Sequence, residues 1–203
     1  MIPNFKAHPW HGISAGAETP DLVNVFVEIV PSDTIKYEVD KETGYLKVDR
    51  PQKFSNIIPA LYGFIPRTYC EHEVMKLAHE SGSTDVTTGD LDPLDICVLS
   101  SHNIHAGGLL MEAIPIGGFK MIDKGEADDK IVAVMVGDHA FGHFRDISEL
   151  PVAEVQRLKH YFLTYKNLPD EPQKCRIDDV YGAEHAKKVI QASMTDYANR
   201  YGG

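Results

Sequence analysis

The order of the apolar segments limits the folds that this chain can adopt. Short runs rich in β-branched residues fill most of the first two thirds, and the run over residues 22–30 partly alternates between apolar and polar positions, as a strand does. Similar short runs occur at residues 34–39, 45–48, 57–65, 94–99, 109–116 and 131–136. Helical patterns follow, one beginning near Pro151 and one covering about residues 183–199. Strands followed by helices predict an α+β fold, a small β-barrel with helices packed outside it.

The length of 203 residues suits one domain with one core, so we expect a single domain over residues 1–203. Residues 1–20 contain several prolines and glycines and predict an irregular N-terminal arm. Residues 67–89 are polar, with many Ser and Thr residues and glycines at 82 and 89, and predict an inserted surface loop.

Charge and cysteine content argue against several classes of function. The 30 Asp and Glu residues outnumber the 20 Lys and Arg residues, and a net charge of −10 disfavours nucleic-acid binding, because phosphate backbones need a positive surface. We find no apolar run of the length that a membrane-spanning helix or a signal peptide needs. The three cysteines are odd in number and far apart, as is typical of reduced thiols. We therefore expect a cytoplasmic protein without nucleic-acid or membrane partners.

The strongest chemical signal is the acidic cluster Asp90-Leu91-Asp92-Pro93-Leu94-Asp95. Three carboxylates in six residues repel one another unless cations neutralise them. In an extended segment Asp90 and Asp92 would share one face, and Pro93 could bring Asp95 round to the same site. Oxygen ligands on a rigid element suit Mg²⁺, although an acidic turn without function is the plain alternative.

Further charged groups accompany this cluster. A second acidic patch covers residues 123–130, and Glu28 lies in an otherwise apolar strand. Lys36 and Glu38 share a strand face, Arg50 follows in the next strand, and Tyr165-Lys166 ends a predicted helix. Lysine and arginine beside metal-binding carboxylates are what a phosphate substrate requires. Ordinary solvated turns and surface ion pairs would explain each feature taken alone.

Several other chemistries fail on detail. A calcium EF-hand beginning at Asp90 would need Gly at its sixth position and Glu at its twelfth, where Asp95 and Ser101 stand. The spacing of His102 and His105 beside Cys97 matches no familiar zinc site. The sequence also lacks the P-loop motif and the Gly-x-Ser-x-Gly nucleophile elbow.

Taken in order, these segments resemble the family I soluble inorganic pyrophosphatases over about residues 8–195. The acidic cluster at 90–95 corresponds to the signature of that family. The other matching segments are His8-Pro9-Trp10-His11, Val27–Val30 with Ile35–Lys41, Val48-Asp49-Arg50, Tyr62–Ile65, Lys120–Asp123, Asp128–Lys130 and Tyr161–Lys166. Each match is weak alone, but their joint occurrence in this order is specific.

The resemblance implies a five-stranded OB-like β-barrel with flanking α-helices. It implies hydrolysis of inorganic pyrophosphate to two orthophosphates by direct attack of a metal-activated water. The implied cofactor is Mg²⁺, with several ions in each active site and Mn²⁺, Zn²⁺ or Co²⁺ as substitutes. The implied partners are pyrophosphate and phosphate, and the relatives suggest a homo-oligomer.

Carried over position by position, the site of the family falls on residues of four kinds. Asp92 would orient the attacking water and accept its proton. The metal ligands would be Asp90, Asp95, Asp123 and Asp128, with Glu28 reaching another ion through water. The substrate-binding residues would be Lys36, Arg50, Tyr62, Lys130, Tyr165 and Lys166. Glu38 would belong to the network that supports these residues.

Four positions depart from the pattern of the family. Leu91 replaces a small or polar residue inside the signature, and in a strand it would point away from Asp90 and Asp92. Ile58 stands where many bacterial members have Tyr, Leu61 where they have Asn, and Lys124 where an acidic residue often follows the metal-binding Asp. These departures bear on subfamily and metal affinity rather than on the reaction.

Two other functions stay open at this stage. One is a metal-dependent hydrolase of nucleotides or polyphosphate, which relative activity on ATP, tripolyphosphate and pyrophosphate would reveal. The other is a non-catalytic OB-type binding module, which a gel-shift assay would detect.

Overall fold

The computed structural model describes residues 6–53, 56–167 and 170–202, and these form a mixed α and β structure. Its strands are β1 (Val23–Ile29), β2 (Ile35–Val39), β3 (Leu46–Pro51), β4 (Leu61–Phe64), β5 (Thr88–Gly89), β6 (Asp95–Leu99), β7 (Leu109–Asp123), β8 (Glu126–Ala127), β9 (Lys130–Met135) and β10 (Cys175–Gly182). Its helices are α1 (His72–Glu80), α2 (Val152–Thr164) and α3 (Ala183–Tyr201). No helix in this part of the chain is both long and apolar enough to cross a bilayer.

Five strands close into a ring. In order around it, β1 pairs with β4, β4 with β6, β6 with β9, β9 with β7, and β7 again with β1. Within this ring the β6–β9 pairing is parallel and the other four pairings are antiparallel. The prediction of an α+β fold built on five OB-like strands with flanking helices is therefore confirmed. Outside the ring, β2 and β3 form a separate two-stranded hairpin, and β10 pairs with the second half of β7.

Most residues of the ring strands are buried on both faces, except in the first half of β7, where Leu110 is 50% exposed. Alternate residues of β6 belong to different apolar clusters: Ile96 packs in the cluster that includes Val189 of α3, whereas Cys97 packs in the cluster that includes Leu158 of α2. This follows from the two-residue period of a strand. Because each fully buried Val, Leu or Ile contributes about 1.5–3 kcal/mol, the two clusters hold the strand ends firmly in place.

The prediction of a surface loop over residues 67–89 is wrong, because the segment contains α1 and the short strand β5. Val74 and Ala78 of α1 are buried in the cluster that includes α3. The carboxylate of Asp196 on α3 accepts hydrogen bonds from the backbone N–H groups of Glu73 and Val74. The start of α1 is thus capped by a residue distant in sequence, so the local sequence contains no capping signal.

The remaining differences concern the extent of elements. The strand predicted at 109–116 continues to Asp123, and β10 had no clear apolar pattern in the sequence. Residues 6–20 of the predicted arm consist of turns and irregular backbone, while residues 1–5 lie outside the described residues. The arm is fixed by Trp10, whose indole N–H donates to the Thr68 carbonyl at 2.8 Å. That residues 1–203 form one domain stays a prediction.

Candidate active site

A pocket of about 280 Å³ opens beside the ring, between the β2–β3 hairpin, the start of β6, the end of β7 and the end of α2. The structure brings every predicted site residue to this pocket. They are Glu28, Lys36, Glu38, Arg50, Tyr62, Asp90, Asp92, Asp95, Asp123, Asp128, Lys130, Tyr165 and Lys166. Residues from seven separate segments thus converge on one cavity, although their individual roles remain predictions.

A group of three carboxylates lies at the centre of the pocket wall. Single oxygen atoms of Asp90, Asp95 and Asp128 lie within 4.8 Å of one another. The topology explains this, since β6 and β9 are parallel neighbours and Asp95 pairs with Lys130 at their first residues. Burial raises the pKa of Asp90 well above its usual value, and the negative charge of Asp128 adds to the effect. An all-oxygen group of this kind fits a hard divalent cation.

Lys130 is the internal counter-ion of this group. Its side chain is only 2% exposed and contacts both Asp95 and Asp128. Burial acts to lower the pKa of Lys130, but the two carboxylates outweigh it and raise this pKa well above the usual value. The Tyr62 hydroxyl donates to Asp95 at 2.5 Å. The carboxylates are therefore held in place by a cation and a hydroxyl from neighbouring strands.

Glu28 reaches the pocket from β1 because the strand is irregular there. The register of β1 against β4 shifts between Val27 and Ile29, which is typical of a β-bulge that re-aims a side chain. Glu28 is 7% exposed, and its carboxylate accepts a hydrogen bond from the Val39 N–H at 2.6 Å. Burial raises the pKa of Glu28 to about 8. A carboxyl group in such surroundings is costly to ionise unless a cation lies near it.

Asp123 ends β7 on the opposite side of the pocket. Its Oδ2 accepts a hydrogen bond from the Lys166 ammonium group at 2.5 Å. Its Oδ1 is buried and accepts no hydrogen bond within residues 6–53, 56–167 and 170–202. A buried carboxylate oxygen without a donor is an open ligand position. A metal ligand explains this oxygen better than a purely structural ion pair with Lys166 does.

Cationic side chains line the remaining wall. The Lys36 ammonium group lies 3.2 Å from Glu38 and 3.0 Å from Asp49, and it faces Arg50 across the β2–β3 pairing. Lys166 lies 5.1 Å above the ring of Tyr165 at the end of α2. Lys36, Arg50 and Lys166 thus surround a space in which a phosphate group would meet positive charge from two sides.

The predicted arrangement of Asp90 and Asp92 on one strand face is wrong. Leu91 has a φ of 62° and is 44% exposed, so the chain turns here instead of continuing as a strand. The Asp92 N–H donates to Asp90 at 3.2 Å, and the Asp92 carboxylate contacts Lys41 instead of joining the three-carboxylate group. The left-handed backbone at Leu91 breaks the two-residue period on which the prediction depended.

Sequence reasoning did not select several other residues that line the pocket, and those with a polar group are Trp10, Lys41, Gln52, Glu126 and Tyr161. Lys41 follows Lys36 and Glu38 in the same matched segment, so the hairpin offered a signal for it. Among the departures, Ile58 and Leu61 are buried in the apolar clusters. Lys124 is exposed at a turn with a φ of 53°, so it does not enter the carboxylate group.

Comparisons with known proteins agree on one family. The family model described as inorganic pyrophosphatase matches residues 25–198. Inorganic pyrophosphatase from Chlamydia caviae is 47% identical over 96% of this chain and 92% of its own length. The protein of the same name from Chlamydia muridarum is 46% identical over 98% of each chain.

A solved structure gives the same result for the fold. The crystal structure of inorganic pyrophosphatase from Thermus thermophilus superposes with a TM-score of 0.79 at 27% identity, covering 94% of this chain and 99% of that one. Sequence and fold similarity therefore extend over almost the whole chain, and the range matched by the family model includes every predicted site residue.

Proposed function

Because the chain belongs to the inorganic pyrophosphatase family and hydrolyses inorganic pyrophosphate, we propose that the charged pocket is where this reaction occurs, with Mg²⁺ as the metal. The observation that supports this is the convergence of the acidic and basic side chains on one cavity. The family is metal-dependent, and the chain has an acidic group that could hold a metal. A diphosphate between carboxylates and lysines needs cations on both of its phosphate groups.

Two sets of carboxylates would hold the metal. Asp90, Asp95 and Asp128 form the first, because their oxygens already lie within 4.8 Å of one another. Asp123, with its unpartnered Oδ1, and Glu28, from the opposite wall, would complete the site. The donor set consists of hard oxygen atoms, which favours Mg²⁺ and leaves Mn²⁺, Zn²⁺ and Co²⁺ as substitutes. When bound, divalent cations lower the pKa of a water and screen the charge of phosphate.

Asp92 is the residue that would hold the attacking water and take its proton. Its side chain is 45% exposed at the pocket and lies outside the three-carboxylate group. Asp92 would therefore not be needed as a metal ligand. A general base must reach its proton directly, and an exposed carboxylate at the mouth can do so. Tyr62 and Lys130, which both contact Asp95, would also bind the substrate, and Glu38 would support these residues through its contact with Lys36.

The phosphate groups would be bound by Lys36 and Arg50 from the hairpin and by Tyr165 and Lys166 from α2. Arginine offers a planar fork of donors, whereas lysine provides a point charge that can follow the departing phosphate. Direct attack by water needs no covalent intermediate. We also propose a cytoplasmic location, no nucleic-acid partner and a homo-oligomeric state, supported by the acidic composition and by the family.

The test of the proposed function is phosphate release from pyrophosphate, measured with Mg²⁺ and again with EDTA. We expect fast release with Mg²⁺ and none with EDTA. ATP and tripolyphosphate are tested separately as alternative substrates under the same conditions. Pyrophosphate should be hydrolysed at least 100-fold faster than either, which corresponds to a difference of about 2.7 kcal/mol in activation free energy. Release that persists in EDTA, or a preference for ATP, would contradict the proposal. Light scattering on the purified protein tests the oligomeric state.

A further inference from the structure

The amide group of Gln52 is a buried polar group in the pocket to which the proposed mechanism gives no role. Its Nε2 atom is out of contact with solvent and makes no well-formed hydrogen bond in the described part of the chain, although the amide is close enough to the Tyr161 hydroxyl to act against the rise in the pKa of that group. The side chain lines the same pocket as Arg50 and Tyr161. Most buried polar groups have hydrogen-bond partners, and an exception at a binding site indicates a partner that arrives with the ligand.

The backbone around Gln52 is anchored from two directions. The Gln52 N–H donates to the Thr34 carbonyl at 2.8 Å, which ties the end of β3 to the start of β2. The neighbouring Lys53 ammonium group donates to the Lys166 carbonyl at 3.0 Å, which ties the same segment to the end of α2. These contacts place Gln52 between two elements that provide phosphate-binding cations.

Tyr161 provides a second neutral donor beside Gln52. Burial raises the pKa of the Tyr161 hydroxyl, so this group keeps its proton and can donate at any working pH. Its ring stacks on Tyr165 with centroids 5.2 Å apart, which fixes its orientation. Ile58 packs in the same apolar cluster as Tyr161 and offers no donor. Gln52 and Tyr161 are therefore neutral donors on the same side of the pocket as Tyr165.

We propose that Gln52 is a specificity-determining residue that donates a hydrogen bond to a phosphate oxygen of bound pyrophosphate, with Tyr161 as its neighbour in the same subsite. The inference depends on the proposed function of the pocket and extends it. A phosphate oxygen is a strong acceptor, and a neutral, pre-positioned donor gains a charge-assisted hydrogen bond without adding to the repulsion between cations. Arg50 lines the same wall, and its positive charge would balance the negative charge of this phosphate oxygen.

The decisive variant is Gln52→Met, which keeps the length of the side chain and removes its donor. We expect KM for pyrophosphate at saturating Mg²⁺ to rise about tenfold with kcat within about twofold, since the lost bond is made equally in the ground state and the transition state. The Kd of methylenediphosphonate, a non-hydrolysable analogue, should weaken by the same factor in calorimetry. The Tm without ligand should stay the same or rise, because an unpartnered buried polar group is removed.

Two further variants complete the design. Gln52→Glu has the same shape with a negative charge, and it should weaken analogue binding more than Gln52→Met does. Gln156→Met makes the same exchange on the exposed face of α2 and should change neither KM nor Kd. Unchanged KM and Kd together with a lower Tm for Gln52→Met would overturn the proposal, because they would show a purely structural amide. Failure of wild-type hydrolysis would instead refute the proposed function, since analogue binding is measured separately.

Discussion

A group of carboxylates in the pocket and a single buried aspartate outside it differ in what surrounds them. In the pocket, Asp90, Asp95 and Asp128 face one another. Between β9 and α2, Asp138 is 5% exposed and accepts backbone hydrogen bonds from Ser101, Ala140 and Phe141. The first group is crowded by negative charge, whereas Asp138 is surrounded by donors.

This difference separates a binding site from a structural site. Burial raises the pKa of Asp90, and nearby carboxylates add to that effect. For Asp138, burial also acts to raise the pKa, but the hydrogen bonds outweigh it and lower the pKa well below its usual value. A carboxylate surrounded by donors stabilises the fold by itself, whereas crowded carboxylates carry a cost that a cation removes. Acidic residues in the same protein therefore acquire opposite properties from their neighbours.

The largest expected effect distinguishes chemistry from stability. Asp92→Asn should lower kcat for pyrophosphate about 1,000-fold, because an amide cannot take a proton from the attacking water. Its Tm should stay within about 2 °C of wild type, since the Asp92 side chain is 45% exposed. Steady-state phosphate release and thermal unfolding measure the two quantities. The exposed Asp170→Asn serves as the matched control, and full turnover by Asp92→Asn would exclude its role as base.

The structural carboxylate should behave in the opposite way. Asp138→Asn should lower the free energy of unfolding by about 3 kcal/mol, because the new NH₂ group faces donors where an acceptor is needed. The kcat of the folded fraction should match that of wild type. Denaturant unfolding measures the stability, with Asp170→Asn again as control. A variant as stable as wild type would mean that the hydrogen bonds around Asp138 contribute little.

The difference in unfolding free energy between wild type and Asp138→Asn should depend on pH, with a direction that follows from the sign of the Asp138 pKa shift. Because folding lowers the pKa of Asp138, its contribution to stability is complete above the unfolded pKa of about 3.9 and is lost as the pH falls below it. The gap in unfolding free energy between wild type and Asp138→Asn should therefore be constant from about pH 5 to 7 and shrink below about pH 4. Urea unfolding at several pH values tests this, and a gap that widens with acid would contradict it.

Adding Mg²⁺ should change which of two proteins, wild type or Asp90→Asn, is the more stable. In EDTA, Asp90→Asn should be as stable as wild type or more so, because one of three crowded charges is removed. With Mg²⁺ at about 100 times its Kd, wild type should gain about 2.7 kcal/mol and Asp90→Asn less. Asp138→Asn, measured in parallel, should keep the full gain. An equal gain by wild type and Asp90→Asn would show that Asp90 does not hold the metal.

The smallest expected effect concerns Lys41, whose ammonium group contacts Asp92 at the mouth of the pocket. Lys41→Gln should lower kcat about threefold, because a half-exposed ion pair contributes at most about 1 kcal/mol to the position of its partner. Lys41→Arg should restore most of the activity. Lys47→Gln on the same hairpin, whose partner is Asp40, is the matched control. Equal rates for both Gln variants would mean that Lys41 does not position Asp92.

Local patterns predicted much of the fold. Strands β1, β2, β6 and β9 agree with their apolar runs, and α2 and α3 with their helical stripes, because burial on a strand or helix face leaves a period in the sequence. Helix α1 left no such signal, since only Val74 and Ala78 are buried and its start is capped by Asp196. The turn at Leu91 was missed for a related reason, since no glycine or asparagine marks its left-handed backbone.

The sequence by itself determined the order of strands and helices, the family, and which carboxylates and cations are available for chemistry, because these depend on residue type and short-range spacing. Tertiary structure alone decided what each charged group faces. It gave Asp196 its partners 122 to 125 residues away, Asp92 its contact with Lys41, and Gln52 a buried amide nitrogen without a well-formed hydrogen bond. Hydrogen bonds and charge interactions act over a few ångströms in space, and the distances that govern them exist only once the strands and helices have packed.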